Sequence, residues 1–149
     1  MRAVPTLLLV LLTALAGCTA RDTASELVPG VRLGMSPRDV RDRFDGGGAG
    51  AWQTKLGGGA AGASDDTVLE WTAAGDATRA TTARFEFHLG MLVAVRAHLR
   101  ESAAGKRVDL TQKTVTVRAP QGSGSDVTIL ARDCPTHHEE AESLASRAR

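Results

Sequence analysis

The stretch from Thr81 to Leu99 sets the tightest limit on what this chain can fold into. Ala83, Phe85 and Phe87 alternate with Arg84, Glu86 and His88. Beyond Gly90, residues Met91, Val93, Val95, Ala97 and Leu99 alternate with Leu92, Ala94, Arg96 and His98. A period of two is a strand period, so the segment predicts an antiparallel hairpin with one apolar face on a core. Both apolar sets are odd-numbered, and they share a face only across a loop with an odd number of residues. A three-residue loop, His88-Leu89-Gly90, meets that condition and puts glycine at the left-handed position of a bulged turn.

The rest of the chain supplies neighbours for this hairpin. Val68 to Thr72 reads as a strand with Leu69 and Trp71 on one face, and Trp52 begins a short strand inside the Gly/Ala-rich span 45–64. Val31 and Leu33 predict an extended lead-in. Val108 with Leu110, and Val115 with Val117, have opposite parity, which predicts a strand or its continuation broken by a kink or bulge. Pro120 to Ser125 reads as a flexible loop before a last strand carrying Val127, Ile129 and Ala131. Two helices frame these strands. Ser36 as N-cap, Pro37 at the first position and Asp39 two residues on start a helix of two to three turns, with Val40 and Phe44 on one face and Gly46 as its stop. Thr136 and Glu139 form a capping box for a C-terminal helix whose stripe is Ala141, Leu144, Ala145 and Ala148. The expected fold is α+β: an antiparallel sheet of about five or six strands with a short N-terminal helix and a C-terminal helix packed on it.

The first eighteen residues predict location rather than fold. Arg2 precedes an apolar run, Leu7–Leu12 and Ala14–Ala16, of about ten residues, where a spanning helix needs about 20. The run ends in Leu15-Ala16-Gly17-Cys18, which resembles the lipobox of bacterial lipoproteins. That resemblance implies cleavage before Cys18 and acylation of Cys18, so that residues 1–17 are a signal peptide, 18–29 a lipidated tether and 30–149 a single domain. Thr19 after the cysteine favours the periplasmic face of the outer membrane. The mature chain of 132 residues is long enough for one independent core. With three Phe, two Trp and no Tyr, that core must be small and aliphatic. The 18 basic and 17 acidic residues balance and lie scattered, which offers nothing to nucleic acid; membrane contact falls to the lipid.

Residues 30–44, Gly-Val-Arg-Leu-Gly-Met-Ser-Pro-Arg-Asp-Val-Arg-Asp-Arg-Phe, with Trp52 and the Phe85-to-Leu99 hairpin, resemble the start of small lipoprotein domains of the BamE (SmpA/OmlA) type. β-Lactamase-inhibitor-like domains share that helix-plus-sheet plan. The resemblance covers residues 30–100. It implies a non-enzymatic outer-membrane lipoprotein that binds protein partners in envelope assembly. The chain departs from the pattern where Asp45-Gly46-Gly47-Gly48 replaces the family's Gly-Ala/Thr-Pro, and in lacking a clear second helix.

Candidate chemistry is sparse. No serine lies in a G-x-S-x-G elbow, and no glycine loop is followed by Lys-Ser/Thr, so neither a hydrolase nor a nucleotide site is expected, and no cofactor is implied. One cluster stands out, Asp133-Cys134-Pro135-Thr136-His137-His138. A cysteine before a helix start has a lowered pKa, and adjacent imidazoles offer a base or metal ligands. Cys134, His137 and His138 are therefore the thiol or metal candidates. If Cys18 is acylated, Cys134 is the lone thiol, with no internal disulfide to join. For contact with an envelope protein partner, the outer face of the hairpin is the candidate patch, with Leu92 between Arg84 and Arg96, together with Trp52.

Overall fold

The computed structural model describes residues 26–56 and 66–147. The lipobox and Cys18 lie outside the described residues. Seven strands form one antiparallel sheet: β1 (Gly50–Leu56), β2 (Thr67–Ala73), β3 (Ala80–His88), β4 (Met91–Leu99), β5 (Arg107–Leu110), β6 (Thr114–Gln121) and β7 (Gly124–Ala131). Their order across the sheet is β1-β2-β3-β4-β7-β6-β5. Helix α1 spans Pro37–Arg43 and α2 spans His138–Ser146. The architecture is thus α+β as expected, with seven strands because β5 is a separate edge strand rather than a continuation of β6.

Register places the two helices on opposite faces. Val95 pairs with Ile129 and Ala94 with Leu130, so these neighbouring rows point to opposite sides of the pleat. On the first face, Leu69, Trp71, Phe85, Val95, Val127 and Ile129 form the main core with Val40 of α1. On the second, Ala94, Val115, Val117 and Leu130 pack under Ala141 and Ala145 of α2. A helix stripe of alanines lets α2 lie close to the sheet.

Val28 and Val31 are also core residues, 1% and 2% exposed. The packed domain therefore begins before Gly30, and the last residues of the span expected to be tether belong to it. Val31 and Leu33 do not form a strand. Instead Gly34 N–H donates to the Leu92 carbonyl and Leu92 N–H to the Met35 carbonyl, both at 2.8 Å. These bonds occupy the edge of β4 beyond its last pairing with β7 at Ala94. α1 starts as its sequence dictates: Ser36 Oγ accepts from Asp39 N–H at 3.2 Å and donates to the Asp39 carboxylate at 2.7 Å. It ends at Phe44 as C-cap, two residues before Gly46. Gly46 and Gly50 serve packing instead, since a Cβ at either position would overlap the Trp71 ring.

The β3–β4 turn corrects the parity argument. Phe87 pairs with Leu92 and His88 with Met91, so the loop is the two residues Leu89-Gly90. Both have positive φ, +51° and +75°, as a type I′ turn requires. A bulge at Val93 then restores the facing, because Glu86 pairs with Ala94 and Phe85 with Val95. The physical consequence is that Leu92, not Val93, enters the main core, at 1% exposure.

Two further turns differ from expectation. The span 120–125 is ordered strand and turn: Gln121 pairs with Gly124, and Gly122 at φ +58° is the first position of a two-residue turn. The parity change between Val108 with Leu110 and Val115 with Val117 comes from pairing rather than from a kink. Val108 pairs with Val117 and Leu110 with Val115, so an even number of intervening residues reverses the parity at the turn.

Candidate functional site

Among the described residues, a thiol, an imidazole and a carboxylate come together where the start of α2 meets the outer face of β3. Cys134 and His137 lie in the turn after β7, closed by His137 N–H donating to the Cys134 carbonyl at 3.1 Å. His137 is the N-cap of α2, with no side-chain cap bond. The expected Thr136–Glu139 capping box is not formed, because the N-cap falls one residue later and the His137 ring is drawn to the sheet.

Its Nδ1 lies 3.8 Å from Cys134 Sγ, within reach of a sulfur hydrogen bond. Its Nε2 lies 2.9 Å from Glu86 Oε2. Glu86 Oε1 accepts from Arg84 Nε at 3.0 Å and from Arg96 Nε at 3.3 Å. Arg96 in turn grips Glu140 of α2 with two N–H groups, at 3.0 and 2.7 Å. Thiol, imidazole and carboxylate thus form a line, with the carboxylate fixed by two guanidinium groups. The bond to Glu86 orients the ring and leaves Nδ1 toward the sulfur.

Charge follows from this arrangement. The hydrogen bond with His137, helped by Arg84 and Arg96 and opposed by burial, lowers Glu86 to about 2. The hydrogen bond to Glu86, with the sulfur contributing, raises His137 to about 9. Burial pushes the Cys134 thiol up, but the His137 ring, the Thr136 hydroxyl and the Thr136 and His137 N–H groups together bring it below its usual value. At neutral pH the cluster holds a carboxylate and an imidazolium beside a thiol biased toward thiolate.

Cys134 is 4% exposed and packs with Val93 and Ala131, with Leu33 beside them. Those same three neighbours line a cavity of about 770 Å³, which Met91 and Leu92 also border. Lys113, Arg32 and Asp133 edge it with charge. The thiol therefore lies just behind the apolar wall of a cavity at the turn end of β4.

The other sequence candidates scatter. His138 turns away, its Nδ1 3.0 Å from the Arg132 carbonyl. Among the described residues, no three His, Cys, Asp or Glu side chains come together as a set able to hold a metal. The expected contact patch is not one surface. Leu92 is buried in the core by the Val93 bulge, and Trp52 stands on the first face against Phe44 and Phe85, at 5.7 Å between ring centroids in each case. Arg84 and Arg96 pair on the second face within a ladder of ions running from Lys55 through Glu70 and Glu86 to Glu140. Glu86 is the residue that sequence reasoning missed. It read as one more outward strand residue, and nothing local links it to a histidine 51 positions away.

The fold and this cluster define an open-sheet α+β domain with a thiol–imidazole–carboxylate line in which Cys134 and His137 are buried and Glu86 is half-buried. Comparison of the chain with known family models, with characterised proteins and with solved structures finds no match. Among the described residues, no helix is long and apolar enough to cross a membrane.

Proposed function

We propose that the protein is a membrane-anchored, non-enzymatic interaction module of the cell envelope, held by acylated Cys18 at the periplasmic face of the outer membrane and acting in envelope assembly. The observation that carries this reading is the position of the apolar cavity relative to the start of the domain. Residue Glu26 lies by the far end of the hairpin, where its carbonyl accepts from Arg79 at 2.9 Å. The cavity, with Met91 53% exposed and the turn residue Leu89 62% exposed nearby, lies at the other end of the nine-residue β4. Seven residues separate Cys18 from Glu26, a reach of at most ~28 Å. An anchored domain would present Leu89 and Met91 away from its attachment, where an apolar segment of a protein partner can bury them. The span that resembles BamE-type domains corresponds to α1 and β1–β4, which supports the same reading.

A photo-crosslinking amino acid at Met91 in the full-length chain, in its native cells, tests the proposal. A discrete crosslinked envelope protein is expected, and it should disappear with Cys18→Ser. Crosslinks equal in pattern to those from a control position on the opposite end, such as Asp76, would count against it.

A further inference from the structure

We propose that the outer edge of β1 pairs with β1 of a second copy, joining two domains into one continuous sheet about a two-fold axis at Gln53. β1 is the last strand on its side of the sheet. Ala74 N–H donates to the Ala49 carbonyl at 3.0 Å, and β1 pairs with β2 residue for residue from Gly50 to Leu56. Bonded residues alternate along an antiparallel pair, so Ala51, Gln53 and Lys55 turn their backbone groups to β2. Those of Gly50, Trp52, Thr54 and Leu56 face outward, and among the described residues no strand pairs with them. Sheets guard such an edge by shortness, bulges, proline, charge or cover. The opposite edge is guarded. There β5 has four residues, carries the Arg107–Asp109 ion pair at 3.0 Å and lies against α2. β1 has seven residues, no bulge and no proline. Its single charged residue, Lys55, is folded back onto Glu70 of β2 at 2.5 Å. With one open edge per domain, antiparallel self-pairing closes at a dimer instead of running on as a filament.

The side chains of the edge select a second copy as its occupant. The register that uses all four outward residues sets Gly50 opposite Leu56, Trp52 opposite Thr54 and Gln53 opposite itself, with about eight hydrogen bonds. Large side chains then meet small ones. Leu56, 84% exposed, comes to lie across Gly50 of the second copy. The Trp71 ring fills the space that a side chain at Gly50 would take, so Leu56 covers the edge of that indole. Lys55 faces Ala51, and the two Lys55 residues stand about 13 Å apart along the strands, too far to repel strongly. Moving the axis to Thr54 would bring the two Arg41 guanidinium groups together, since each bonds Thr54 Oγ1 and lies 6.0 Å from the Trp52 ring. Moving it to Trp52 would leave Leu56 uncovered. The paired domains run head to tail, and the pairing does not depend on the interaction reading. Where both copies are anchored, their strands lie along the membrane, within the ~28 Å reach of each tether. Leu89 and Met91 then stand at the two ends of the joined sheet, each clear of its own attachment.

The test places Gln53→Cys in the full-length chain, in its native cells, with a mild permeant oxidant. At the axis the two Gln53 residues form a non-hydrogen-bonded pair with Cα atoms about 4.5 Å apart, inside the range a disulfide spans. Electrophoresis without reductant should show a band at twice the monomer mass, absent from the native chain and removed by reductant. Asp109→Cys, on the guarded edge, should give none. Adding Thr54→Pro, which removes an N–H that β2 does not use, should abolish the band. Adding Leu56→Asp, at an exposed position, should weaken it and leave the melting temperature of the purified protein in place. A Gln53→Cys chain that stays monomeric, joins a different protein or links no better than Asp109→Cys would overturn the proposal. So would a band that Thr54→Pro and Leu56→Asp both leave unchanged.

Discussion

At the scale of single residues, the Glu86–His137 contact ties α2 to the sheet through charge. His137 is raised from 6.5 to about 9 in the folded protein, so its contribution is complete below pH 6.5 and is lost as pH rises through about 9. Glu86 is lowered from 4.5 to about 2, so its contribution is present above pH 4.5 and is lost as pH falls through about 2. The two windows overlap between pH 4.5 and 6.5. Denaturant titrations should find Glu86→Gln most destabilising there, by roughly 2 kcal/mol, and less so above pH 9. A penalty independent of pH would assign the effect to packing. Gly50 makes a second prediction. The space its missing Cβ would take is filled by the Trp71 ring, so Gly50→Ala should destabilise by about 1–3 kcal/mol in the same assay. Trp71 itself was legible as a core residue from its alternation with Glu70. The glycine beside it was not, because small size opposite a large ring has no local signature.

Among elements, the β3–β4 hairpin shows what periodicity can and cannot fix. The face carrying Phe85, Val95, Ala97 and Leu99 was readable from alternation, and these residues are 0%, 1%, 5% and 2% exposed. The turn was not, because a three-residue loop and a two-residue loop plus bulge satisfy the same parity. The structure takes the second, at the expense of a leucine at φ +51°. Replacing Leu89 with Asn or Gly should therefore stabilise the domain by about 1 kcal/mol, read as a rise in melting temperature. No change or a fall would mean that the Leu89 side chain contributes contacts that offset its backbone cost. α1 was legible almost to the residue, since Ser36, Pro37 and Asp39 are local signals with local geometry. Ser36→Ala should lower stability by about 1 kcal/mol through the lost cap. α2 was legible as a helix but not in its start. His137 is held by Glu86, a partner 51 residues distant, and that tertiary bond overrides the local cap at Thr136.

For the whole molecule, the sheet is covered unequally. The N-terminal segment and α1 close the first face, whereas α2 shields the second over β5, β6 and β7 and reaches Ala94 of β4, leaving the ion ladder of β2 and β3 open to solvent. Val28 and Val31 are then as necessary as any strand residue. A chain starting at Gly34 should lose cooperative unfolding, seen as a broadened thermal transition, while one starting at Glu26 should keep it. The α+β class and helix order were readable from the sequence, but not the assignment of helices to faces, which depends on β4 pairing with β7 rather than β5. That pairing also divides the chain. β1 to β4 form one run of consecutive hairpins and β5 to β7 another, joined covalently through residues 100–106 and laterally by the six-residue Ala94–Leu99 seam with β7. A nick in that connection would leave both runs with their own hairpins and a ready-made edge for each other. The two pieces, 26–102 and 103–147, are thus expected to behave as complementing fragments, each marginal alone and reassociating into one sheet when mixed.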